Sequence, residues 1–158
     1  MKRILLPLCI FAQLSTKAQH LKSIDDPYTH QRRITSEKVQ LRGSFYVWCR
    51  SVDSLVFLYM DGWGKSAGII NSHDVALLIT PSDTIVARPT GTQAYHETGH
   101  GHYTQEYGLS NGDLIKLSRE PLVLIRRYYA GGIEDIPIPT ENKGALMQLA
   151  KELNTELK

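Results

Sequence analysis

The sequence predicts an α+β domain built mainly of antiparallel β-sheet, and three observations carry that prediction. From Ile34 onward, short runs rich in aromatic and β-branched residues recur between turn signals. The gaps between them are too short for the crossovers of a dozen or more residues that parallel pairing needs. Near the end two helical signals interrupt the pattern, one at 110–120 and one at the C-terminus. The sheet is expected to form a meander or a partly open sandwich or barrel, with the last helix packed on it.

The chain opens with Lys2 and Arg3, the apolar run Ile4–Ala12, and the small residues Ser15, Thr16 and Ala18, which are the parts of a secretory signal. Residues 1–19 are therefore expected to be a signal peptide, cut after Ala18 or Gln19, leaving about 140 residues outside the cytoplasm, in the periplasm, cell envelope or medium. The apolar run is about nine residues, whereas a helix needs roughly 20 to span a bilayer, and no later segment qualifies. Cys9 follows Leu8 inside that run rather than a small residue, which argues against lipid attachment. Removing the leader also removes Lys2, Arg3 and Lys17. The whole chain's +2 then becomes −1, with 15 basic against 16 acidic residues. The basic footprint of a nucleic-acid binder is absent. Cys49 becomes the one remaining thiol, set in the apolar run Phe45–Cys49, and is expected to be a buried small apolar residue.

Residues 20–33 are polar with one proline and read as an extended lead-in, so that 34–158 form a single domain. Ile34–Leu41 alternates weakly as a strand, and Phe45–Arg50 and Leu55–Met60 are stronger ones. Asp61-Gly62-Trp63-Gly64 reads as a turn. Gly68–Ile70, Val75–Thr80 and Thr84–Arg88 follow as short strands. Ser110 is placed to cap a helix, with Asp113 at the capping-box position, Leu109 and Leu114 as a hydrophobic staple and Pro121 as the stop. Leu122–Tyr129 and Ile133–Ile138 read as a hairpin through Gly131-Gly132. A last helix from near Thr140 puts Leu146, Leu149, Ala150, Leu153 and Leu157 on one face.

This order of pieces resembles a family of small exported proteins of unknown function, common in Bacteroidota-type bacteria. The residues that carry the resemblance are the leader, Ile24-Asp25-Asp26, Tyr107-Gly108-Leu109-Ser110, Asp113-Leu114, Leu117, the strand Pro121–Arg126 and the closing amphipathic helix. It implies a strand-rich α+β domain and no assigned catalytic residue.

One stretch matches a catalytic motif. His96-Glu97-Thr98-Gly99-His100 satisfies H-E-x-x-H, in which a helix aims both histidines at a zinc ion and the glutamate acts as general base for its water; His102 adds a third imidazole. The surroundings favour a hairpin instead. Gly99 and Gly101 disfavour a helix, and Gly91–Tyr107 holds no Leu, Ile, Val, Met or Phe for a helix to bury. The strands expected there are Gln93–Thr98 and His102–Tyr107, joined by a turn at 99–101.

Trp63, between two glycines, is a candidate contact residue for a sugar or peptide. Arg126 with Tyr128, and Arg127 with Tyr129, share strand faces and read as cation–π pairs or edge solvation rather than an anion site. No calcium loop, phosphate loop or nucleophile elbow is present in the sequence. The leading reading is a non-enzymatic envelope or secreted module, without a cofactor, that binds a protein, peptide or glycan through a sheet face or loops. The alternatives are a small zinc hydrolase using His96, Glu97 and His100, and an accessory subunit that pairs a partner at an exposed strand.

Overall fold

A computed structural model of the chain describes residues 21–63, 74–90, 102–129 and 132–158, with the side chains of Trp63 and Tyr129 outside that description. Ten strands are described: β1 (Leu21–Asp25), β2 (Arg32–Ser36), β3 (Val39–Arg42), β4 (Phe45–Val52), β5 (Leu55–Trp63), β6 (Ala76–Ile79), β7 (Thr84–Pro89), β8 (His102–Leu109), β9 (Leu124–Tyr129) and β10 (Gly132–Pro137). The helices are α1 (Asn111–Leu117) and α2 (Ala145–Glu156). Every strand pair is antiparallel. The mainly antiparallel α+β expectation therefore stands.

The strand order is β1-β2-β4-β5-β8-β7-β6-β9-β10, with β3 also paired to β4. It departs from a plain meander, because β6, β7 and β8 run back toward β5 and set β8 beside it. β7 serves two neighbours. Its residues 84–87 pair with β6, while Arg88 and Pro89 pair with β8.

Three expected boundaries are corrected. Ile34–Leu41 is not one strand: between Thr35↔Arg50 and Val39↔Val47 the chain gains one residue on its partner β4. That extra residue bends the chain at Glu37-Lys38. The Ser36 hydroxyl fills the interrupted ladder, accepting the Cys49 amide at 2.9 Å. Asp61-Gly62-Trp63 is not a turn but the end of β5, because β8 supplies partners for all three in Thr104, Tyr103 and His102. Gly62 is there for close approach. A Cβ at that position would stand 2.9 Å from both a Phe45 ring carbon and the Tyr103 hydroxyl oxygen. The last helix does not begin at Thr140. A single 3₁₀ turn covers Thr140–Asn142 and α2 proper starts at Ala145. The strand Gly68–Ile70 and the hairpin arm Gln93–Thr98 lie outside the described residues.

The inward residues of the sheet and the helices share one core. Val47, Leu58, Met60, Leu78 and Ile125 meet Leu114, Leu117, Leu146, Leu149 and Leu153 in it. α1 is capped as expected: Ser110 Oγ accepts the Asp113 amide at 3.1 Å, and the Asp113 carboxylate accepts the Ser110 amide at 3.0 Å. α1 packs on α2 and touches β5 and β8, while α2 touches β3. Cys49 is buried as expected, and burial pushes its thiol pKa up to about 12. Among the described residues no helix is long and apolar enough to cross a membrane.

Candidate functional site

Strand alternation gives β4, β5 and β8 two unlike faces. In β4, the buried residues Phe45, Val47, Cys49 and Ser51 alternate with half-buried Tyr46, Trp48, Arg50 and Val52. In β8, the buried residues Tyr103, Gln105, Tyr107 and Leu109 alternate with His102, Thr104, Glu106 and Gly108. Register then sets the outward residues in rows across the sheet. One row is Trp48–Tyr59–Glu106, the next Tyr46–Asp61–Thr104, and on the other side lies Arg50–Phe57–Gly108–Arg88.

The first row is a continuous ladder of side chains. Lys38, at the bend between β2 and β3, holds its ammonium 4.4 Å from the Trp48 ring centroid. Trp48 stacks on Tyr59 with centroids 5.0 Å apart and planes 8° from parallel. The Tyr59 hydroxyl donates to Glu106, whose other oxygen accepts from the Thr90 hydroxyl. Burial, reinforced by that carboxylate, raises the Tyr59 pKa, so the phenol keeps its proton and remains a donor. The Trp48 ring thus has the Lys38 ammonium and the Tyr59 ring as its neighbours.

The second row is organised by Asp61, which is 6% exposed. A buried carboxylate is costly unless it is paired and hydrogen-bonded. Asp61 has three partners: Lys38 Nζ at 2.6 Å, His102 Nε2 at 2.5 Å and the Thr104 hydroxyl at 3.3 Å. Lys38 thus joins both rows. Arg50, at one end of the third row, also reaches the Tyr59 hydroxyl. Gly108, with no side chain, lets the Thr90 methyl group come within 3.0 Å of where a Cβ would stand.

Of the residues singled out from sequence, His102 opens β8 and is bound to Asp61, while Trp63 closes β5 at the position paired with His102. His96, Glu97 and His100 lie outside the described residues. Among the described residues, no three His, Cys, Asp or Glu side chains gather as a metal-binding group. Arg126 is held by Asp135 at 2.7 and 2.8 Å, with a further hydrogen bond to Tyr128. Arg127 departs from the expectation of edge solvation. It is buried over the ring of Tyr103, because its strand face points into the core.

Comparison of the chain with family models, curated proteins and solved structures finds no match. The rows of side chains must therefore be read on their own chemistry. Lys38, Asp61, Glu106 and the Trp48–Tyr59 pair carried no sequence motif. Period-two alternation in β4 and β8 would have placed Trp48 and Glu106 on the outer face, but Lys38 and Asp61 depend on a bend and a strand extension that only pairing creates.

Both carboxylates of these rows are held by partners from the same molecule. Beside them the face carries the Trp48 and Tyr59 rings and the cations Arg50 and Arg88.

Proposed function

We propose that this domain is a non-enzymatic binding module of an exported protein, and that it holds an extended acidic peptide segment across the outer face of β4, β5 and β8. The observation that carries this reading is the Lys38–Trp48–Tyr59–Glu106 ladder, which fixes two aromatic rings and a cation in register. Sugars dock on the flat faces of aromatic rings, and the faces that Trp48 and Tyr59 turn to each other are taken by their stack. Peptide side chains pack against ring edges, and Arg50 and Arg88 suit carboxylates, so a peptide is the better match. The leader and the resemblance to small exported proteins support an envelope or extracellular setting. We also read the sheet as a partly open sandwich that turns at β7, since that strand passes from β8 to β6.

The test is a selection of displayed peptides against the mature protein. Enriched peptides should be acidic with aromatic residues, and should bind at least tenfold more weakly to Arg88→Glu and to Arg50→Glu, with thermal midpoints of the variants near that of the parent. Peptides that bind both variants as well as the parent would refute the assignment of this face. An empty selection together with saturable binding on a glycan array would refute the ligand class.

A further inference from the structure

The core-facing side of the same sheet holds one buried cation. Arg127 of β9 is 1% exposed, with its guanidinium 3.9 Å from the Tyr103 ring centroid. Its Nη1 donates to Glu134 at 3.2 Å, from the residue directly opposite on β10. A hydrogen bond also joins it to Tyr107, itself buried. Its Nε is buried with no hydrogen-bond partner among the described residues. A well-packed apolar residue in place of a buried ion pair is often neutral or stabilising, so packing alone does not call for an arginine here.

Beside this cation a cleft of about 230 Å³ opens between the β3–β4 turn and β10. Arg42, Ser44, Phe45, Tyr103, Glu134 and Ile136 line it. Tyr103 and Glu134 are at once its walls and the direct contacts of Arg127, so the guanidinium stands immediately behind the lining. Asp135, at the rim, already has its charge held by Arg126. Of the cleft's own lining, Arg42 and Glu134 then remain as its charges, with Arg127 behind, while Asp61 and Asp74 act from beyond Tyr103 and Tyr107.

We propose that this cleft binds a small carboxylate, which takes the place of the Glu134 carboxylate on Arg127. The Glu134 side chain is 31% exposed and belongs to the last strand of the sheet, so it has room to turn toward solvent. The incoming carboxylate restores the ion pair that Glu134 gives up and, reaching Nη1 and Nη2 together, makes a two-pronged contact. Phe45, Ile136 and the Tyr103 ring receive the ligand's apolar part. The volume is below the 300–1,000 Å³ of sites for drug-sized molecules. The ligand therefore has a handful of heavy atoms, and is either a free organic acid or the terminal carboxylate of a chain.

The experiment is a titration of the mature protein, followed by amide chemical shifts, with isobutyrate and with N-acetyl-alanyl-alanine, each beside its amide. At least one acid should bind saturably with shifts at Tyr103, Arg127 and Glu134, and its amide should not bind. Saturation by isobutyrate alone assigns a free acid, and by the dipeptide alone a chain terminus. Glu134→Gln, which removes the competing charge and keeps the shape, should tighten binding at least tenfold and raise the thermal midpoint gained on adding ligand. Arg127→Met should abolish binding, and because Glu134→Gln reads the same competition, the inference stays testable if Arg127→Met fails to fold. It is overturned if neither acid saturates the parent protein, if the amides bind equally, or if Glu134→Gln leaves the affinity unchanged.

Discussion

At the scale of single residues, Gly62 and Cys49 give the sharpest expectations. Gly62 sits inside β5, where the buried side chains of Phe45 and Tyr103 both come within 2.9 Å of where a Cβ would stand. Gly62→Ala should therefore lower stability by about 1–3 kcal/mol, the range for overpacking a dense interior; an unchanged denaturation midpoint would mean the rings move aside. Cys49, with its pKa pushed up to about 12 by burial, stays a neutral thiol at ordinary pH. Iodoacetamide at mildly alkaline pH should leave the native protein unlabelled and modify it only in denaturant, whereas rapid native labelling would place the thiol at the surface. Cys49 was legible in the sequence because its neighbours Val47 and Trp48 mark an apolar strand. Asp61 was not. An Asp-Gly pair is a strong turn signal, and only β8, whose Thr104 lies 43 residues further on, turns it into strand and gives its carboxylate two of its three partners.

The elements were legible wherever their signals are local. Ser110 and Asp113 define the start of α1 by themselves, and the leucine spacing of the C-terminal stretch defines the buried face of α2. Leu149 and Leu153 are both fully buried against the core, so Leu149→Ala or Leu153→Ala should cost about 2–5 kcal/mol in chemical denaturation. Near-normal stability in both variants would show that α2 is not held by that face. The end of α1 is tied to the β6–β7 turn by charges. Lys116 lies 2.9 Å from Asp83 and holds its carboxyl below the usual range, and the Ser82 hydroxyl does the same to Glu120. Carboxyls whose folded pKa is depressed contribute stability that is fully present above their unfolded pKa near 4 and lost as pH falls through the lower folded values. Below about pH 4, the thermal midpoint of the parent should thus fall more steeply than that of an Asp83→Asn, Glu120→Gln double variant. Parallel acid limbs in the two proteins would remove these carboxyls from the acid response. The start of α2 was misplaced, since Thr140 carries capping chemistry, yet Pro139 and the following three residues close only a single 3₁₀ turn.

The whole molecule depends on the least local feature of all, the return of β6–β7–β8 that brings β8 against β5. Hairpin signals place neighbouring strands together, but nothing in a strand of period two names a partner from beyond the next turn, so β5–β8 and β6–β9 could not be read from the sequence. The proposed binding face exists only because of that pairing, since Tyr59 and Asp61 come from β5 while Glu106, Thr104 and His102 come from β8. The measurement that tests the face most directly is an amide chemical-shift map of the mature protein with the tightest peptide from the display selection. The expected result is a continuous set of shifts over residues 46–50, 57–61 and 102–108, lost in Arg88→Glu. Shifts confined to the helices or to β9 and β10, with residues 46–50 and 102–108 unmoved, would contradict it.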